Sequence, residues 1–217
     1  NDFQLSKENN VYFVELQAQT SQLKASIQVK VQPVKINNKT TYPRKKHDTA
    51  VSANYMTQGN GTVIDTNSGL QWMRCHLGQT WGNATCVGVA KKYEWQAALD
   101  VASSYRYAGY SDWRVPTIKE LVTLVYCSNG KAIQYKINDF DSMKSKGSSG
   151  CKIGTRDKYK RPTIDTATFP NRTASAVWSS SPTVGNEVEA WYVHFSGGYI
   201  NYIYRSASFN ARLVRSR

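Results

Sequence analysis

The chain has 217 residues, 40% of them hydrophobic and 12% aromatic, which excludes a disordered chain and allows one substantial core with room for a small second module. Its 28 Lys and Arg against 15 Asp and Glu give a formal charge of +13, which attracts polyanions. No apolar run approaches the roughly 20 residues of a membrane-spanning helix, so no membrane span is expected, and Asn1 is followed by no apolar leader, as in a processed form whose targeting segment is gone.

VYFVELQAQ at 11–19 and ASIQVKVQPVKI at 25–36 alternate apolar and polar residues: Ile27, Val29 and Val31 point one way, Gln28, Lys30 and Gln32 the other. Both read as half-buried strands, with Pro33 at an edge or strand end. A short helix through Leu16, Gln19 and Leu23 is the alternative for the first. The polar, basic NNKTTYPRKKHDTA at 37–50 reads as a connection. The expected domains are a β-rich N-terminal segment with its basic linker at 1–50 and a binding domain at 51–217.

The second domain opens with GTVIDTNSGLQWMRC: a strand through Val63 and Ile64, a turn from Asp65 to Gly69, and a return strand through Leu70, Trp72 and Met73. YEWQAALDVASSY at 93–105 sets Trp95, Ala98, Leu99 and Ala102 on one helical face. A second helix is predicted after Pro116, with Thr117 as N-cap, Glu120 three residues on, and Leu121, Leu124 and Val125 turned inward. Farther on, SAVWSSS, EAWYVHFSGGYINYIYR and FNARLVR read as short strands, with Gly197 and Gly198 turning one hairpin. Two helices among short antiparallel strands make the expected class α+β.

Cys75, Cys86, Cys127 and Cys151 form an even set without a CxxC pair, which predicts two disulfides and an oxidising compartment, four reduced core thiols being the alternative. Because short loops close readily, Cys75 is paired with Cys86 and Cys127 with Cys151.

The charge is uneven: residues 144–217 carry 12 basic and 4 acidic side chains, residues 51–143 only 8 and 7. The densest stretch, KSKGSSGCKIGTRDKYKR, holds Lys144, Lys146, Lys152, Arg156, Lys158, Lys160 and Arg161 around a lone Asp157, and its Gly and Ser make it a loop. Anchored at Cys151, these cations would gather in one place. Nucleic acid, anionic lipid and sulfated glycan all suit such a cluster, but an oxidising compartment favours sulfated or acidic polysaccharide over nucleic acid. Arg would offer forked hydrogen bonds and Lys point charge. Trp191, Tyr199, Tyr202 and Tyr204, interleaved with Arg205, would supply stacking platforms. The bland alternatives are a solvated basic surface and, for half of the aromatics, a core face.

The pieces GTVIDTNSGLQWMRC, YEWQAAL, GYSDWRVPTIKEL, VWSSS, AWYVHFSGG and ARLVRSR, in this order over about residues 60–217, resemble the family typified by the C-terminal part of the Legionella collagen-like adhesin. Within the pattern Asp112 and Arg114 can tie a loop over Trp113 and Pro116. The resemblance implies a C-type-lectin-like fold, exposure at the bacterial cell surface or outside the cell, an adhesin-type role and binding of sulfated glycosaminoglycan. It also implies trimers through adjoining sequence, but no Gly-X-Y repeat stands in this sequence. The EPN, QPD and WND triplets of calcium-dependent lectins are missing too, which argues against calcium-dependent sugar coordination and leaves Glu187 and Glu189 as the candidate calcium ligands. The second function class is an assembly subunit of a surface fibre or pilus, with residues 1–50 engaging a protein partner or another copy.

No enzymatic chemistry, cofactor or metal is expected. His47, His76 and His194 lack metal-ligand spacing. His76 adjoins Cys75, but adjacent side chains rarely converge and the cysteine reads as oxidised. The helix start at Arg114, Pro116 and Thr117 resembles that of formylglycine-making enzymes without their copper-binding cysteine pair. Glu187 and Glu189, roughly 7 Å apart on one strand face, are as well explained by a solvated edge as by glycoside cleavage.

Overall fold

The computed structural model describes residues 3–8, 11–16, 54–131, 150–152, 158–170 and 174–217. The chain divides into two compact units, residues 1–46 and 47–217. In the first, β1 (Phe3–Glu8) and β2 (Val11–Leu16) form an antiparallel hairpin with Phe3 opposite Leu16 and Glu8 opposite Val11. Val11–Leu16 is therefore strand, not helix, while the strand expected at 25–36 and the linker at 37–50 lie outside the described residues.

The second unit is mostly β with two short helices, the expected α+β class. Strands β3 (Tyr55–Thr57), β4 (Thr62–Asp65) and β5 (Gln71–Met73) run antiparallel and are joined by β13 (Val214–Arg215) in the order β13-β5-β4-β3. The Asp65–Gly69 turn closes because Asp65 Oδ1 accepts from the Asn67 amide at 2.9 Å and Asp65 Oδ2 from the Ser68 hydroxyl at 2.7 Å. A small hairpin, β6 (Thr80–Gly82) and β7 (Thr85–Val87), follows. The larger sheet contains β8 (Lys92–Tyr93), β9 (Ala176–Thr183), β10 (Asn186–His194), β11 (Tyr199–Tyr204) and β12 (Phe209–Asn210) in the order β11-β10-β9-β12-β8. All its neighbours are antiparallel except β12 and β9.

Helix α1 covers Trp95–Ser103, shorter than the predicted 93–105, and buries Trp95, Ala98 and Ala102 at helical spacing. Its Trp95 indole donates to the Ser179 carbonyl at 2.7 Å, fixing the helix on β9. Helix α2 is a single turn, Ile118–Leu121, continued by a 3-10 turn over Val122–Leu124. The predicted capping box is present: the Glu120 amide donates to Thr117 Oγ1 and the Thr117 amide to Glu120 Oε2. Leu121 and Leu124 are buried. Arg114 grips both oxygens of Glu120 at 2.7 and 2.6 Å, whereas Asp112 pairs with Arg215.

Alternation along the central strands sends side chains into two cores. Val177, Trp191 and Val193 join Trp72, Leu121 and Phe169 in one; Ala176, Trp178 and Tyr192 join Trp95, Trp113 and Leu213 in the other. Arg212 is 1% exposed: its Nη1 donates to the Met73 and Arg74 carbonyls, and its guanidinium lies 4.8 Å over the Phe169 ring. Burial pushes its pKa down to about 9, still high enough to keep the charge at neutral pH. Among the described residues no helix is long and apolar enough to cross a membrane.

Candidate functional site: a basic and aromatic surface held by a disulfide

Both expected disulfides are present, Cys75–Cys86 and Cys127–Cys151, so Cys75 offers no thiol beside His76. The second closes a 24-residue interval and fastens the basic stretch to the segment after α2. Cys151 is wholly buried, and its amide donates to the Gly197 carbonyl at 2.8 Å. The backbones approach so closely that a Cβ on Gly150, whose φ is +55°, would lie 2.1 Å from the Gly197 oxygen. Lys131 braces the same place, donating to the carbonyls of Gly150 at 2.7 Å and Lys152 at 2.6 Å.

The far end of the stretch is tied as firmly. The Lys160 amide donates to the Ser128 hydroxyl at 2.6 Å, and the Thr163 amide and hydroxyl both donate to the Phe195 carbonyl. Lys152, Lys158, Lys160 and Arg161 are all exposed. Lys144, Lys146 and Arg156 lie outside the described residues.

The turn joining β10 to β11 brings in the aromatic side. The amides of Gly197 and Gly198 both donate to the His194 carbonyl, and the Tyr199 ring stacks on the His194 imidazole with centroids 5.0 Å apart. A Cβ on Gly197 would meet the Tyr199 ring at 2.9 Å and the Tyr159 hydroxyl at 3.2 Å, so the two tyrosines flank a bare glycine. Arg161 carries its guanidinium 5.4 Å from the Tyr159 ring centre and donates to its hydroxyl at 3.4 Å. Burial lowers the His194 pKa, and its Nδ1 accepts from the Ser196 amide at 3.3 Å, so the ring is neutral at physiological pH and the surface charge comes from Lys and Arg.

The other predicted platforms divide. Trp191 is 1% exposed and meets Tyr202 edge-on at 5.0 Å, which corrects the expectation of a ligand platform: it is core, because β10 lies inside the sheet with both faces covered. Tyr202 is half-buried against it. Tyr204 is exposed and Arg205 partly so, but they stand at the opposite end of β11, about 17 Å along the strand from Tyr199. Arg205 stacks on Trp95 at 4.2 Å and donates to the Glu189 carbonyl. Of the predicted aromatics, Tyr199 therefore joins the basic surface.

Sequence reasoning passed over Tyr159, although it sits inside the basic run as KYKR, and over Lys131, and weighed His194 only as a metal ligand; the roles of the last two depend on the turn and the disulfide. Two tyrosines among exposed cations can bind flat, anionic ligands by stacking and ion pairing.

A search of curated proteins returns no match. The family model for the Lcl C-terminal domain matches residues 61–215, from the residue before β4 to the end of β13, and the chain belongs to that family.

Proposed function

We propose that this is a non-enzymatic, adhesin-type binding domain of a bacterial surface or secreted protein, with a C-type-lectin-like fold, that holds sulfated or otherwise acidic polysaccharide. One observation carries the reading: Lys152, Lys158, Lys160 and Arg161 stand exposed around Tyr159 and Tyr199, on backbone pinned by Cys127–Cys151. Pinning lowers the ordering entropy that a mobile basic loop would lose on binding. Arg161 would fork onto a sulfate or carboxylate, the lysines would add point charge, and a tyrosine face would take the apolar side of a sugar ring. Two disulfides and family membership support an extracytoplasmic site of action. The test is titration with heparin, hyaluronan and dextran at several salt concentrations, with and without a calcium chelator. Affinity should fall in that order, weaken with salt and ignore chelation. Equal binding to dextran and heparin would refute the reading.

The second reading, an assembly subunit, draws on the compactness of residues 1–46 as a separate unit containing the β1–β2 hairpin. Light scattering on the full chain and on a version without residues 1–50 distinguishes the two. An oligomer that dissolves on truncation favours assembly; an unchanged monomer that still binds heparin favours adhesion.

A further inference from the structure

Acidic side chains are scarce here, yet two of them share one concavity. A cavity of about 350 Å³ is lined by Tyr55 of β3, Asp65 and Asn67 of the first turn, Val125 and Tyr126 beyond the 3-10 turn, and Asp165. That volume falls within the ~300–1,000 Å³ usual for small-molecule sites.

The carboxylates are held in place by their own loops. Asp65, 5% exposed, uses its oxygens on the Asn67 amide and the Ser68 hydroxyl. Asp165 accepts from the Ala167 amide at 3.1 Å and the Thr168 hydroxyl at 2.5 Å. Each oxygen retains acceptor capacity. The hydroxyls of Tyr55 and Tyr126 and the side-chain amides of Asn54 and Asn67, which also line the cavity, make no hydrogen bond among the described residues. Among the described residues two carboxylates, Asp65 and Asp165, and no Lys, Arg or His line the cavity, so its own charge is negative.

The Asn and Tyr side chains of the lining both donate and accept, which an ammonium group, a donor only, cannot reciprocate and a hydroxyl can. A negative field repels the anions that the basic surface attracts. Val125 lines this cavity and also lies 2.5 Å from where a Gly198 Cβ would stand, so one residue separates it from the turn leading to Tyr199.

We propose that this cavity is a second, independent site, for a neutral polyhydroxylated ligand the size of one hexose. Asp65 and Asp165 accept from neighbouring hydroxyls, Asn54 and Asn67 donate, and Tyr126 offers its ring to the apolar face of the sugar.

The experiment is an amide-resolved NMR titration of the intact chain with the methyl glycosides of glucose, galactose and mannose, against their uronates and methylammonium. At least one neutral glycoside should shift the amides of Asn67, Ser68 and Thr123 to Tyr126 saturably in the millimolar range. Asp165→Asn, which keeps the shape of the loop, should weaken it about tenfold, the effect of one lost charge-assisted hydrogen bond. Tyr126→Ala should abolish it, and exposed Asn67→Ala should weaken it should Tyr126→Ala fail to fold. Heparin affinity should stay unchanged in Asp165→Asn. Absence of saturable shifts at these amides, equal shifts from methylammonium or a uronate, or wild-type affinity in Asp165→Asn would overturn the proposal whatever heparin does.

Discussion

The amide of Cys151 donates to the carbonyl of Gly197 at 2.8 Å, so the residue that closes the second disulfide is also bonded to the turn that presents Tyr199. Lys152, the next residue, and the ring share this anchor. Replacing Cys127 and Cys151 together by Ser should cost about 3 kcal/mol, as expected for opening a loop of this size, and should also move heparin elution to lower salt. The Cys75→Ser, Cys86→Ser pair should lower the melting temperature while leaving elution in place. Equal elution of both pairs would show that the anchor has no part in binding.

Gly150→Ala tests the same contact without touching sulfur. Its Cβ would meet the Gly197 oxygen at 2.1 Å in a backbone conformation that disfavours side chains, so the backbones must separate. A stability loss of about 2 kcal/mol is expected in chemical denaturation. The amide of Cys151 should also lose its protection from hydrogen exchange. Retained protection would contradict the close approach.

Trp191 and Tyr199 should part company. Trp191→Phe, in the core, is expected to lose about 1–3 kcal/mol with unchanged heparin affinity. Tyr199→Ala, at the surface, should weaken binding with little change in melting temperature. The reverse pattern would restore Trp191 as a platform.

Glu120 links α2 to Arg114 and fixes an acid limit on stability. Burial would raise its pKa, but hydrogen bonds from Arg114 and the Thr117 amide outweigh burial and hold it below the ordinary 4.5. A depressed carboxylate contributes stability that is present above its unfolded pKa and lost as pH falls through the folded one. Gln keeps an oxygen to accept from the Thr117 amide, so Glu120→Gln removes only the charge; because Arg114 is partly exposed, which discounts the ion pair, the cost should be about 1 kcal/mol. The difference should persist at neutral pH and shrink below 4.5 in denaturation curves. A pH-independent difference would assign the effect to packing alone.

Local rules made much of the fold legible. The Asp65–Gly69 turn, the Thr117–Glu120 box and the Gly197–Gly198 turn each depend on a few adjacent residues whose chemistry permits little else. What escaped was long-range. Asp112 is tied to Arg215, 103 residues away, rather than working with Arg114, and nothing near Asp112 encodes that partner. Period two puts Tyr202 and Tyr204 on one face, yet Tyr202 lies opposite Trp191 over the core while Tyr204, two residues on, is exposed. Strand alternation gives the face but not where the core ends. Tyr159 was readable as an aromatic in a basic run, but its place beside Gly197, which Tyr199 also flanks, requires the turn to fold back against it.

The most direct test is salt-gradient elution from immobilised heparin, comparing Lys158→Glu, Lys160→Glu and Arg161→Glu made together with a control of equal charge change, Lys91→Glu, Lys92→Glu and Lys119→Glu. The first variant should elute at much lower salt than the wild type and the control only slightly earlier, because the contacts are local to the disulfide-held surface. Identical elution of the two variants would mean that net charge alone retains the protein, and the binding surface would not exist.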